Sequence, residues 1–93
     1  MIKSFADRNT LKLFNGEAVP RLPSEIRERA RLKLAQLNAA ATLEFMALPP
    51  SNRLEALKGD RKGQHSVRIN QQWRICFKWI DGNAFDVEIT DYH

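Results

Sequence analysis

Asp91, Tyr92 and His93 follow one another where the sequence stops, and with the α-carboxylate of His93 they gather a carboxylate, a phenol, an imidazole and a second anion. Such a set can take a proton from one oxygen and return one to another. Upstream stand Arg68 and Arg74, whose planar guanidinium forks match the oxygens of a phosphate. Base, acid and cation together are what RNA cleavage requires: a base for the ribose 2′-OH, cations for the charge of the phosphorane, and an acid for the leaving 5′-oxygen. The bland readings are a frayed terminus for the triplet and idle, solvated arginines for the pair, and the residues alone leave both open.

The elements that must position these groups lie between Gln64 and His93. Three segments of alternating apolar and polar residues, separated by Asn70-Gln71-Gln72 and by Asp81-Gly82-Asn83, predict an antiparallel meander. Register follows from keeping the apolar residues on one face. Val67 and Ile69 must share it with Trp73, Ile75, Phe77 and Trp79, which sets Ile69 opposite Trp73; across the second loop the same demand pairs Trp79 with Phe85, Phe77 with Val87 and Ile75 with Ile89. On the other face Arg68 then lies across from Arg74, Ser66 from Cys76 and Lys78 from Asp86, with Arg74 also facing Thr90. An arginine pair with no carboxylate opposite is a clamp for a phosphate.

The preceding chain supplies the cover for the apolar face. Ile2 to Phe5 is expected as a short edge strand, Asp7 as the cap of a first helix, and Gly16 as its stop, with Leu11 and Phe14 on one face. Glu17 to Pro23 holds Pro20 and Pro23 and reads as a loop. From Ser24 the residues Ile26, Ala30, Leu34, Leu37 and Ala41 recur at helical spacing, with Glu25 and Arg29, and Glu28 and Arg31, as surface pairs. Arg27, Arg29, Arg31 and Lys33 read as a solvated basic face that could also touch RNA. Leu43 and Met46 suggest a short turn ended by Pro49-Pro50, followed by a strand over Arg53 to Leu57 and a basic turn from Lys58 to Gly63. The expected class is α+β, one domain over residues 1–93, with N-terminal helices packed on one face of a mainly antiparallel twisted sheet.

Composition points the same way. Net charge is +4 and pI about 9.6, which suits a polyanionic partner. Between Arg53 and Lys78 seven lysines and arginines face two acids, whereas beyond Trp79 there are four acids and no lysine or arginine. Cys76 is the single cysteine, so no intrachain disulfide forms and a reducing cytoplasm is the expected compartment. No stretch reads as a leader or a membrane span. His65 reads as a packed or edge histidine, Cys76 as buried or inert, and no spacing resembles a metal motif.

The ordered set Leu57-Lys58-Gly59-Asp60, Ser66-Val67-Arg68-Ile69-Asn70, Trp73-Arg74-Ile75 and Asp91-Tyr92-His93 resembles the HigB-type toxins of the RelE/ParE superfamily, the plasmid maintenance system killer proteins, essentially end to end. The resemblance implies a RelE-like microbial RNase fold, a helix-turn-helix antitoxin partner (HigA-like) with operator DNA reached only through it, and ribosome-dependent, metal-independent cleavage of mRNA without a cofactor. By position it implies that Lys58, Arg68 and Arg74 hold the scissile phosphate and that Asp91, Tyr92 and His93 shape proton transfer, His93 being the main acid or base. Arg53, Glu55, Arg61, Lys62, Ser66, Asn70 and Lys78 are the accompanying substrate-binding candidates.

One departure stands out. Similar toxins often carry a histidine just before the Leu-Lys-Gly motif, where this chain has Glu55; a glutamate can act as a base, yet beside RNA phosphates it adds repulsion and titrates differently, so weaker cleavage is expected. Two other readings keep the fold and change the activity: a non-catalytic ParE-like toxin that blocks a partner such as DNA gyrase, and an RNA- or ribosome-binding growth regulator.

Overall fold

The computed structural model of the chain describes residues 1–91, so Tyr92 and His93 lie outside the described residues. Helices α1 (Arg8–Phe14) and α2 (Ser24–Ala39) come first, and strands β1 (Glu55–Ala56), β2 (His65–Arg68), β3 (Trp73–Ile80) and β4 (Asn83–Asp91) follow. The strands form one antiparallel sheet in the order β1-β2-β3-β4. No helix among the described residues is long and apolar enough to cross a membrane.

α1 begins where Asp7 accepts a hydrogen bond from the Thr10 amide at 3.2 Å, and it stops at Gly16, whose φ of +82° suits glycine. Its buried residues are Thr10 and Leu13. Leu11, expected with Phe14 on the inner face, is exposed. α2 buries Ile26, Ala30, Leu34 and Leu37 as its spacing predicts, but it ends at Ala39; Ala40 and not Ala41 reaches the core. These residues form one cluster with Val67, Ile69, Ile75, Phe77 and Val87 of the sheet, each large side chain contributing about 1.5–3 kcal/mol by leaving water. The segment before α2 is tied down, since Val19 and Leu22 are buried in the same cluster. Trp73 and Trp79 pack against it from the sheet, and His65 stacks on Phe77 at 6.2 Å between ring centres.

The first hairpin has the expected register, with Arg68 opposite Arg74, Val67 opposite Ile75 and Ser66 opposite Cys76. The second differs in two ways. Its loop is Asp81-Gly82 alone, because Asp81 (φ 51°) and Gly82 (φ 79°) make a tight two-residue turn that pairs Ile80 with Asn83. That turn shifts Trp79 onto Ala84 and Lys78 onto Phe85, replacing the expected Trp79–Phe85 and Lys78–Asp86 pairs. A bulge then follows between Cys76 and Lys78. Its extra residue on β4 is Asp86, at φ 53°, and beyond it the expected pairs Ile75–Ile89 and Arg74–Thr90 are in place. The Lys78 ammonium still reaches the Asp86 carboxylate at 3.3 Å.

The outer edge of β4 is closed by the N-terminal segment, which bridges it in parallel at Ile2–Ala84 and Phe5–Val87. The Ser4 carbonyl accepts the Val87 amide at 3.1 Å and the Ser4 hydroxyl accepts the Asp86 amide at 2.8 Å. Farther along, the Thr10 hydroxyl accepts the Ile89 amide at 3.0 Å and donates to Asp7 at 2.5 Å. One hydroxyl thus joins the helix cap to the strand that ends beside Arg74. The expected strand over Arg53 to Leu57 is reduced to Glu55–Ala56, because Arg53 takes a left-handed conformation (φ 46°, ψ 55°) that breaks extended pairing. Thr10→Val removes the acceptor for a strand amide with no water to replace it, and should lower the unfolding free energy by about 1–3 kcal/mol in urea denaturation.

Candidate active site

Strands β2, β3 and β4 send Ser66, Arg74, Cys76, Glu88 and Thr90 to the face away from the helices, and the chain between β1 and β2 folds over the edge of that face. A cleft of about 540 Å³ opens between them. Arg74 and Cys76 form its floor, Thr90 and Asp91 one wall, and Glu55, Lys58, Asp60 and Arg61 the other. The turn Gly59–Arg61 carries the second wall, and it starts at Gly59 with φ +64°, a conformation that a side chain would strain.

Arg74 is the most constrained cation in the cleft, with 8% of its surface exposed. Its Nε donates to the Ser66 hydroxyl at 2.8 Å, and its Nη2 donates to the Arg53 carbonyl at 3.1 Å and meets a Glu55 carboxylate oxygen at 3.0 Å. Burial makes a lone charge costly, and the oxygens around this guanidinium offset that cost at the floor. Arg61 pairs with Glu88 and donates to Gln64, both at 3.0 Å, and its hydrogen bond to the Glu88 carboxylate holds its pKa above the ordinary arginine value. Lys58 is exposed at the rim. On the opposite wall Asp91 pairs with Trp73 and accepts from the Gln72 side chain at 3.1 Å, which fixes the end of β4 over the cleft.

Comparison with known proteins identifies the family. Residues 3–93 match the HigB-like toxins, described as the RelE-like toxin of the type II toxin-antitoxin system HigB. The chain belongs to this family. Toxin HigB-1 of Vibrio cholerae serotype O1 is 37% identical, covering 99% of the chain and 98% of the relative. Endoribonuclease HigB of Proteus vulgaris is 31% identical over the full length of both. In fold, the YoeB-YefM complex of Staphylococcus aureus contains a chain that matches with a TM-score of 0.57 at 15% identity, covering 100% of this chain and 98% of that one.

In this HigB-like toxin the candidate residues divide between two places. Lys58, Arg61, Arg74, Glu55 and Asp91 line the cleft. Arg68 does not: although it stands opposite Arg74 in register, its Nε donates to the Asn70 carbonyl at 3.0 Å, and its side chain lines a neighbouring cleft with Arg53 and Asn70. The expected two-arginine clamp without a carboxylate is therefore corrected, since Glu55 of β1 pairs with Arg74 and Arg68 turns away. Ser66 is fully buried and holds Arg74, so it cannot itself meet substrate. Asn70 also caps its own turn, its side-chain oxygen accepting the Gln72 and Trp73 amides at 2.8 Å. Lys62 and Lys78 lie exposed outside both clefts. Tyr92 and His93 fall outside the described residues.

Three polar or sulfur-bearing lining residues are not among the candidates from sequence: Thr90, which faces Arg74 in register, Asp60 of the Leu-Lys-Gly-Asp motif, and Cys76, which reads as buried or inert. Burial pushes the Cys76 thiol pKa up, against the opposing pull of the Thr90 hydroxyl and Arg61, so the thiol is protonated at neutral pH. Among the described residues no three His, Cys, Asp or Glu side chains gather as a metal site would require. The raised thiol pKa has a signed consequence. The unfolded chain releases this proton before the folded protein does, so the stability it contributes is complete below the unfolded value and is lost as pH rises through the folded one. Cys76→Ala should flatten the decline in urea stability between about pH 8 and 10, relative to the parent protein.

Proposed function

We propose that this type II toxin is a cytoplasmic mRNA endoribonuclease that acts on the ribosome, needs no metal, and is restrained by a helix-turn-helix antitoxin. The observation that carries the reading is the buried Arg74 at the floor of a cleft that also presents Lys58, Arg61 and Asp91. The name of the Proteus vulgaris relative, Endoribonuclease HigB, supports an RNase activity. Fixed cations in a partly desolvated cleft stabilise the charge that develops on a phosphorane better than mobile surface cations do.

In the reaction a base removes the proton of the ribose 2′-OH and the freed oxygen attacks phosphorus. The bond from phosphorus to the 5′-oxygen breaks, that oxygen takes a proton from an acid, and a 2′,3′-cyclic phosphate remains. Arg74 and Lys58 serve the phosphate oxygens. His93 is the proposed acid or base, assisted by Tyr92 and by Asp91, which lies on the wall facing Glu55. Glu55 sits where a phosphate oxygen would meet Arg74, so substrate must displace its carboxylate.

Mapping of RNA 5′ ends after induction tests the reading. New ends should cluster within codons of translated messages and vanish with Arg74→Ala or His93→Ala, while Lys58→Ala should slow cleavage by about 10²-fold or more. Altered DNA supercoiling with no new ends would instead indicate a gyrase-blocking toxin. Ribosome co-sedimentation without new ends would indicate a binding regulator.

Glu55→Gln separates the two roles open to that carboxylate. Loss of a half-exposed ion pair worth up to ~1 kcal/mol should tighten RNA binding about two- to fivefold, measured with a 2′-O-methylated strand. A large fall in the single-turnover cleavage rate would assign it the part of base.

A further inference from the structure

The neighbouring cleft, about 590 Å³ in volume, lies between α2 and the end of β2 and is lined by Arg29, Lys33, Arg53 and Arg68 together with Ser51 and Asn70. No carboxylate lines it. Among the described residues none of the four cations forms an ion pair. Their hydrogen bonds go to neutral oxygens instead: Arg29 to the Ile69 carbonyl at 3.2 Å, Arg68 to the Asn70 carbonyl at 3.0 Å, and Lys33 to the Asn52 side chain. Arg31, Arg61 and Lys78, by contrast, each have a carboxylate. Partial burial, and then the charge of Arg29, pull the Lys33 pKa down. Four like charges are thus held together without compensation, as in a site whose anion arrives from outside.

Its place in the fold says which anion. Arg68 and Arg74 are cross-strand partners, and the Arg53 carbonyl holds Arg74 while Arg53 itself lines the second cleft. Directly opposed residues of a strand pair lie about 5 Å apart, so the two clefts flank a single rung of the ladder. A chain with one phosphate per nucleotide, lying along this edge, reaches both.

We propose that the Arg29, Lys33, Arg53 and Arg68 cleft is a second phosphate subsite, which takes a backbone phosphate of the substrate RNA strand flanking the one held at Arg74. The proposal rests on the RNA-cleaving reading for the identity of the strand and extends it to α2. Arg68 becomes a substrate-holding residue here, and Arg29 and Lys33 leave the solvated face of the helix to join it. Hydrogen bonds to carbonyl oxygens keep the guanidinium groups of Arg29 and Arg68 oriented, so less freedom is lost when a phosphate binds.

Binding of a short 2′-O-methylated single-stranded RNA, which cannot be cleaved, is measured by fluorescence anisotropy across a salt series. Each phosphate contact on a single strand contributes about 0.7 to the slope of log K against log salt. The double variant Arg29→Gln with Lys33→Gln should therefore lower the slope by about 0.7, the share of the one phosphate held there, and weaken binding. Arg53→Asn tests the cleft with little demand on folding, because Arg53 is exposed and asparagine tolerates its left-handed backbone; it should weaken binding and lower the slope by a part of the same ~0.7. Unchanged slopes in both variants overturn the proposal, including the case in which only ribosome co-sedimentation falls, since the cations would then serve structured RNA. If the parent protein cleaves no message while the slopes still drop, the nuclease reading fails and the subsite stands.

Discussion

A guanidinium buried beneath the open face of a small sheet is the constraint around which this protein is built. A serine hydroxyl, a backbone carbonyl and a carboxylate, from residues 66, 53 and 55, are brought to Arg74 and offset the cost of burying its charge. Each acceptor depends on a different part of the fold. Ser66 is placed by the first hairpin, the Arg53 carbonyl by the left-handed turn after the prolines, and Glu55 by a two-residue strand that pairs only with β2. Removing any one leaves charge or polarity without its partner in a place poorly reached by water. The helices matter to the site through this demand, because they hold the apolar face that keeps β2 and β3 in register.

How much of this was legible follows from what each residue had to satisfy. The pairing of Arg68 with Arg74 could be read because slipping Val67, Ile69 and Ile75 by one position would turn them to water. The second hairpin was read with the right pairs beside the site and the wrong ones beside the turn. Asp81-Gly82 closes in two residues, and the shift it causes is cancelled by the extra residue at Asp86; two local features that offset each other leave no trace in an alternation pattern. An asparagine or glycine at position 86 would have signalled the left-handed backbone more openly than aspartate does.

Side-chain direction was the part that sequence could not supply. Register brings Arg68 and Arg74 to one rung, but their reach is decided by acceptors from elsewhere: the Asn70 carbonyl for one, Glu55 and the Arg53 carbonyl for the other. Glu55 was read as a replacement for a histidine and also proves to be the ion-pair partner of Arg74, because the register of β1 against β2 rests on only two residues. Arg29 was read as the partner of Glu25 on the helix surface, yet it spans to the end of β2 and donates to the Ile69 carbonyl. Long polar side chains choose among partners that lie far apart in sequence, and periodicity carries no record of that choice.

The parallel bridges from Ile2 and Phe5 to Ala84 and Val87 join residues separated by more than four-fifths of the chain. Contacts of such span form late, since a long loop must close before they return any stability. During synthesis, therefore, the N-terminal segment waits for its partner strand, and the same strand brings Thr90 and Asp91 to the cleft. Closure of the sheet edge and assembly of the cleft are one late event. A nascent chain therefore carries no finished cleft until its last strand has joined the sheet.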